Sequence, residues 1–185
     1  ARTCGSANLL LFADGLVEAD STDGAGLMAA LAEQAPRLSV QGQRIVVLGA
    51  GGAARAAVAA LRDAGADVGV LNRTRSRAEA LSADLGATVV EASALEKAVL
   101  VVNALSVPPE IDMDALRQDA ALMDMTYRPL KTAFLVAGQA RGLTTVDGLA
   151  MLIGQARPSF RALFGQDPPD IDIRTLALAA LGEAA

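Results

Sequence analysis

Residues 45–48, Ile45-Val-Val-Leu48, are an unbroken apolar run in which three of four side chains are β-branched. A run of that length and type, set between polar Gln43-Arg44 and Gly49, predicts a strand buried on both faces. From Ala53 to Ala64 the pattern becomes helical, and Gly65 closes it. The alternation then repeats: strand over 66–71, helix over 76–85, strands over 88–91, 98–103 and 120–124, helix over 131–141, strand over 143–147. Ala98-Val-Leu-Val-Val-Asn103 is apolar up to its last residue and belongs near the centre of a sheet. Strands alternating with helices over 44–147 predict an α/β fold with a doubly wound, Rossmann-like parallel sheet.

The flanks read differently. Residues 8–12 and 16–19 enclose Asp14-Gly15, a hairpin signal. Residues 26–35 read as a helix stopped by Pro36, and Thr22 or Asp23 either caps it or has a functional role. Residues 148–164 read as a long helix, and 172–184 as a last one beyond Pro168-Pro169. Three sections follow: 1–35, a remnant of a second domain; 36–164, a dinucleotide-binding domain; and 165–185, a helix returning to the remnant.

The turn after the first buried strand carries candidate chemistry. Gly49-Ala50-Gly51-Gly52-Ala53-Ala54 places G-x-G-x-x-A between a strand and a helix. Gly49 permits a tight turn, Gly51 lets the backbone approach a pyrophosphate, and Ala54 lets the helix sit close to the strand. The helix start then offers free N–H groups to an anion. After the next strand, a sheet that binds NAD usually carries an acidic residue for the ribose 2′-hydroxyl. Here the chain reads Asn72-Arg73-Thr74-Arg75-Ser76-Arg77. Guanidiniums form forked bonds to phosphate, so the expected cofactor is NADP(H), held by Arg73 and one of Arg75 or Arg77. Asn103, Asp124 and Asp147 end strands and are expected to face the crevice.

Composition narrows the chemistry. The 185 residues carry a net charge of −5, which argues against nucleic acid as the main partner. There is no histidine and one cysteine, Cys4, so histidine catalysis, histidine or cysteine-cluster metal sites and an internal disulfide are excluded within this sequence. No apolar run approaches the ~18 residues of a membrane span, and a cytoplasmic setting is expected. The first residue is Ala1 rather than Met, so a processed or incomplete form is expected. Leu9, Leu11 and Val17 are the expected exposed apolar surface of the hairpin, a basis for a homodimer.

Taken together these segments resemble shikimate dehydrogenase. Besides the glycine turn and the Asn72–Arg77 cluster, Gly5-Ser-Ala-Asn8 is similar to the family's G-A-V-N-T and Ser21-Thr-Asp-Gly24 to its N-T-D-G. Asp124-Met-Thr-Tyr127 and Asp147-Gly148-Leu-Ala-Met-Leu-Ile-Gly-Gln155 are similar to two later family segments. The resemblance implies reversible, NADPH-dependent reduction of 3-dehydroshikimate to shikimate. It implies Asp23 as half of a catalytic lysine–aspartate pair, Asn8, Tyr127 and Gln155 at the substrate, and Asn72, Arg73, Thr74, Arg77 and Asn103 at the cofactor. Gly148 and Met151 would border the nicotinamide. The family's serine pair and its N-V-T-x-P-x-K lysine segment have no match here, since the only lysines are Lys97 and Lys131. Ser21 stands where Asn is usual and Leu105 where Thr is usual. The competing expectations are a non-catalytic NADP-binding module of the same fold and a quinate or aminoshikimate relative.

Overall fold

The computed structural model describes residues 1–182. Its centre is a six-stranded parallel sheet built from β3 (Arg44–Leu48), β4 (Asp67–Leu71), β5 (Thr88–Val89), β6 (Leu100–Asn103), β7 (Ala121–Asp124) and β8 (Thr144–Val146), in spatial order β5-β4-β3-β6-β7-β8. The chain winds outward from β3 to β5, then returns to lay β6 on the other side of β3. That reversal makes the crevice beyond the carboxyl ends of β3 and β6 the expected ligand site. The register is in step across it, with Ile45 beside Leu100 and Leu48 beside Asn103.

Side-chain alternation fills both faces. Ile45 and Val47 pack with Leu27, Leu31, Val58, Leu61 and Leu81 on one face. Val46 and Leu48 pack with Leu95, Leu122, Phe134 and Leu135 on the other. The helices are α1 (Asp23–Gln34), α2 (Gly52–Asp63), α3 (Arg75–Leu85), α4 (Ala133–Ala140), α5 (Gly148–Phe164) and α6 (Ile173–Leu181). The sequence reading of the last helix runs on to Ala184, and residues 183–185 lie outside the described residues. Short 3-10 turns at 92–97 and 113–115 occupy places where the periodicity indicates neither helix nor strand.

At the front of the chain one element makes further contacts and one expectation changes. Helix α1, grouped by sequence with the hairpin, packs on α2 and α5 and buries Leu27, Ala30 and Leu31 in the core of the sheet's helical face. The hairpin itself, β1 (Leu9–Ala13) paired antiparallel with β2 (Leu16–Asp20), forms as expected, but its apolar face differs. Leu9 is buried and Leu11 half-buried, whereas Leu10, Phe12, Leu16 and Val17 are exposed. The pleat explains this: Leu10 and Phe12 project to the face opposite Leu9 and Leu11. Among the described residues no helix is long and apolar enough to cross a membrane.

Candidate functional site

The glycine turn sits at the carboxyl end of β3. Gly49 has φ +113°, a conformation that side-chain-bearing residues avoid, and its N–H donates to the Leu71 carbonyl at 2.9 Å. A Cβ there would also stand 3.1 Å from the Leu105 side chain. Gly51 occupies the N-cap position of α2, and a Cβ on it would meet nothing within 4 Å. The space in front of this backbone is therefore open. No side chain caps α2 and its first turn holds no acidic residue, so the N–H groups at Gly52, Ala53 and Ala54 remain available to an anion.

The basic cluster divides. Arg75 is committed to Glu79 and Glu91, at 2.9 and 2.8 Å. Arg73 and Arg77 are exposed and form no ion pair among the described residues. Asn72 Nδ2 donates to the Thr74 carbonyl at 2.8 Å and curls the loop that presents them. Of the two partners expected for Arg73, the geometry leaves Arg77. Arg55, one turn into α2, points elsewhere: it donates to the Cys4 carbonyl at 2.7 Å and pairs with Asp84 at 2.8 Å, fastening the front segment to the cofactor half.

On the hairpin side, Asn8, Asp23 and Gln155 converge from three elements. Asn8 Nδ2 lies 2.7 Å from Asp23 Oδ1 and 2.7 Å from Gln155 Oε1. Asn8 Oδ1 accepts the Thr22 backbone N–H at 2.9 Å. What allows 147 residues of separation to close is the crossing of α1 and α5. A Cβ at Gly26 would stand 2.6 Å from the Met151 carbonyl oxygen, and one at Gly154 would stand 2.8 Å from the Ala29 side chain. Only glycine lets the two helices approach so near. Burial pushes the Asp23 carboxyl above the usual carboxylate range, and the Asn8 bond opposes that only in part. One Asp23 oxygen and the Gln155 amide nitrogen have no hydrogen-bond partner among the described residues. Together they offer an acceptor and a donor, the pair that a hydroxyl group on a ligand can satisfy. Ser6 Cβ lies 3.6 Å from where a Gly52 Cβ would stand, so the segment that leads into Asn8 reaches the glycine turn.

The remaining expected site residues lie as follows. Asn103 and Asp124 are buried against each other, with Asn103 Nδ2 donating to Asp124 at 3.1 Å and Asn103 Oδ1 accepting the Leu105 N–H. Asp124 also accepts from Thr126 N–H and Thr132 Oγ1. These carboxylate and amide groups brace the loops after β6 and β7 rather than face the crevice, because polar groups this deeply buried must find partners in the protein. Asp147 caps α5 through the Ala150 N–H and binds Gln34 and Arg174. Burial opposes its ionisation, but Arg174, the Ala150 N–H and Gln34 outweigh it and hold the carboxyl below its usual range. Met151 is buried toward α1, Gly148 is pressed against the Thr126 carbonyl, and Tyr127 is exposed on the loop after β7. Thr22, expected as a cap, sits at the N-cap position of α1 but makes no side-chain cap bond; its hydroxyl turns to Gln155 and Ser159. Ser159 is indicated by no motif, although it lies one turn after Gln155. Among the described residues no group of three or more His, Cys, Asp or Glu side chains could hold a metal ion.

Comparison with known proteins places this arrangement. The sequence model of the shikimate / quinate 5-dehydrogenase family matches residues 30–118. The NADP(+)-dependent shikimate dehydrogenase of Caulobacter vibrioides is 48% identical over 198 aligned residues, covering 99% of this chain and 70% of that protein. The enzyme of the same name from Paracoccus denitrificans is 44% identical over 190, covering 95% of this chain and 67% of that one. Among solved structures, shikimate 5-dehydrogenase from Thermus thermophilus in complex with shikimate superposes with a TM-score of 0.87 at 36% identity, over 98% of this chain and 70% of that chain. Quinate dehydrogenase from Corynebacterium glutamicum in complex with NAD gives 0.83 at 29% identity, over 96% and 69%.

Proposed function

The chain belongs to the shikimate / quinate 5-dehydrogenase family, and from that premise we propose that it takes part in the reversible, NADPH-dependent reduction of 3-dehydroshikimate to shikimate. The observation that carries the reading is the meeting of two half-sites. An open glycine turn with Arg73 and Arg77 beyond it is touched by the segment leading into a polar cluster in which Asn8 holds Asp23 and Gln155, whose remaining acceptor and donor suit hydroxyls.

The glycine turn fits a dinucleotide, since open space lies over Gly51 and uncapped N–H groups follow it. The residues at 49–53 would hold the pyrophosphate, and Arg73 and Arg77 a ribose 2′-phosphate. When bound, NADP(H) supplies or takes up the hydride. Gln155 donates to a ring hydroxyl and Asp23 accepts from one, which orients a polyhydroxy acid. The raised affinity of Asp23 for its proton brings it nearer the range in which a carboxyl can exchange protons at neutral pH. A cytoplasmic setting accompanies this reading.

A second reading is favoured by one observation: among the described residues no lysine pairs with Asp23. Under it the chain is a cofactor-binding module that does not itself turn substrate over. Assaying NADPH formation from NADP and shikimate separates the two. The first reading expects turnover that Asp23→Asn lowers at least ~100-fold, within the range of lost acid–base catalysis. Binding of both ligands without turnover supports the second.

A further inference from the structure

We infer that the Thr22 side chain is a positioning group that locks the donor and acceptor polarity which its own backbone N–H sets in the substrate cluster, with Ser159 as its support; the inference rests on the reading that Gln155 meets the substrate.

Thr22 is 5% exposed and joins the cluster twice. Its backbone N–H can only donate, so the Asn8 atom facing it at 2.9 Å must be Oδ1. That choice turns Asn8 Nδ2, which can only donate, toward Asp23 and Gln155. The Gln155 atom 2.7 Å from Asn8 Nδ2 must then be Oε1, because the reverse orientation would oppose two NH2 groups. Gln155 Nε2 is left pointing away from Asn8 as the donor that a ligand oxygen meets. The Thr22 hydroxyl reinforces the order, lying 3.0 Å from Gln155 Oε1 and able to donate to it. Ser159 Oγ, also 3.0 Å from Thr22 Oγ1, completes the bonding of that buried hydroxyl. The single Ser159 hydroxyl proton goes either to Thr22 Oγ1 or to the Gln155 carbonyl at 2.9 Å, and either acceptor ties Ser159 to this cluster. A single backbone N–H thus fixes the orientation of two side-chain amides 147 residues apart, and the Thr22 side chain locks the second.

The test compares Thr22→Val, which keeps the shape and removes the hydroxyl, with Thr22→Ser, which keeps the hydroxyl. In T22V the KM for shikimate should rise about tenfold, the scale of one net hydrogen bond, while kcat and the KM for NADP move less than twofold. T22S should stay within about twofold of the unsubstituted chain, and S159A should raise the KM by about two- to threefold. Unchanged shikimate affinity in T22V, or a matching loss of NADP affinity in T22V, overturns the inference. Should the unsubstituted chain not respond to shikimate, the functional reading fails on its own account. The inference is then decided in the ligand-free chain by NMR exchange of side-chain amide protons. T22V should speed exchange of the Asn8 and Gln155 amides and T22S should not; equal exchange in both overturns it.

Discussion

Asn8 has two amide protons and three acceptors within reach, Asp23 at 2.7 Å, Gln155 at 2.7 Å and Thr22 Oγ1 at 3.0 Å. Its amide ties Asp23 to Gln155, each of which keeps a further polar atom for a ligand. The arginines divide in the same way. Arg75 is held by two glutamates and Arg73 by no ion pair among the described residues, although sequence distance treats the two alike. Arg73→Ala should therefore weaken NADP by about 1.5–3 kcal/mol, about ten- to a hundredfold in Kd, and leave NAD nearly unchanged. Arg75→Ala should change either affinity less than about threefold, since exposed ion pairs contribute little. Calorimetric titration of both nucleotides checks this, and equal losses for NAD and NADP in the Arg73 variant would contradict it. At this scale the sequence showed which residue types were present but not which were already engaged. Asn103 is the clearest case, a strand-end amide whose partner, Asp124, is visible only once β6 and β7 lie side by side.

At the scale of elements, the crossing of α1 and α5 matters more than any single strand. It brings the start of α1 and the middle of α5 together through two glycines. Gly26→Ala would put a methyl group 2.6 Å from the Met151 carbonyl oxygen and 2.7 Å from Gln155 Cβ. Backbone must move to admit it, at a cost of about 1–3 kcal/mol. For a chain of this length that corresponds to roughly 2–12 °C in melting temperature. Gln155 moves with its helix, so shikimate affinity should fall more than NADP affinity. Thermal unfolding and paired titrations would show whether it does, and a variant as stable as the parent would argue against close packing at this point. The helices themselves were legible from periodicity, and Gly148 from its place after a strand. The crossing was not, because Gly26 and Gly154 read as ordinary glycines until the helices they belong to are placed against each other.

For the whole molecule, the sheet was the most legible feature. Apolar runs buried on both faces, separated by helical periods, leave few arrangements, and the observed order β5-β4-β3-β6-β7-β8 is one of them. The front of the chain was less so. Its hairpin signal was sound, but the role of α1 depends on tertiary packing against α2 and α5, which local pattern does not report. Arg55 and Arg174 then fasten the two ends to the cofactor half, through the Cys4 carbonyl and through Asp147. Because the glycine turn at the sheet carries one half-site, and Asn8 with the crossing of α1 and α5 carries the other, one molecule is expected to bind both NADP and shikimate. The most direct test is thermal unfolding of this chain with each ligand alone and with both. A ligand present at about 100 times its dissociation constant should add about 2.7 kcal/mol, and the pair should stabilise at least as much as the sum of the two. Stabilisation by NADP with no response to shikimate at any concentration would contradict the account and leave only a nucleotide-binding fold.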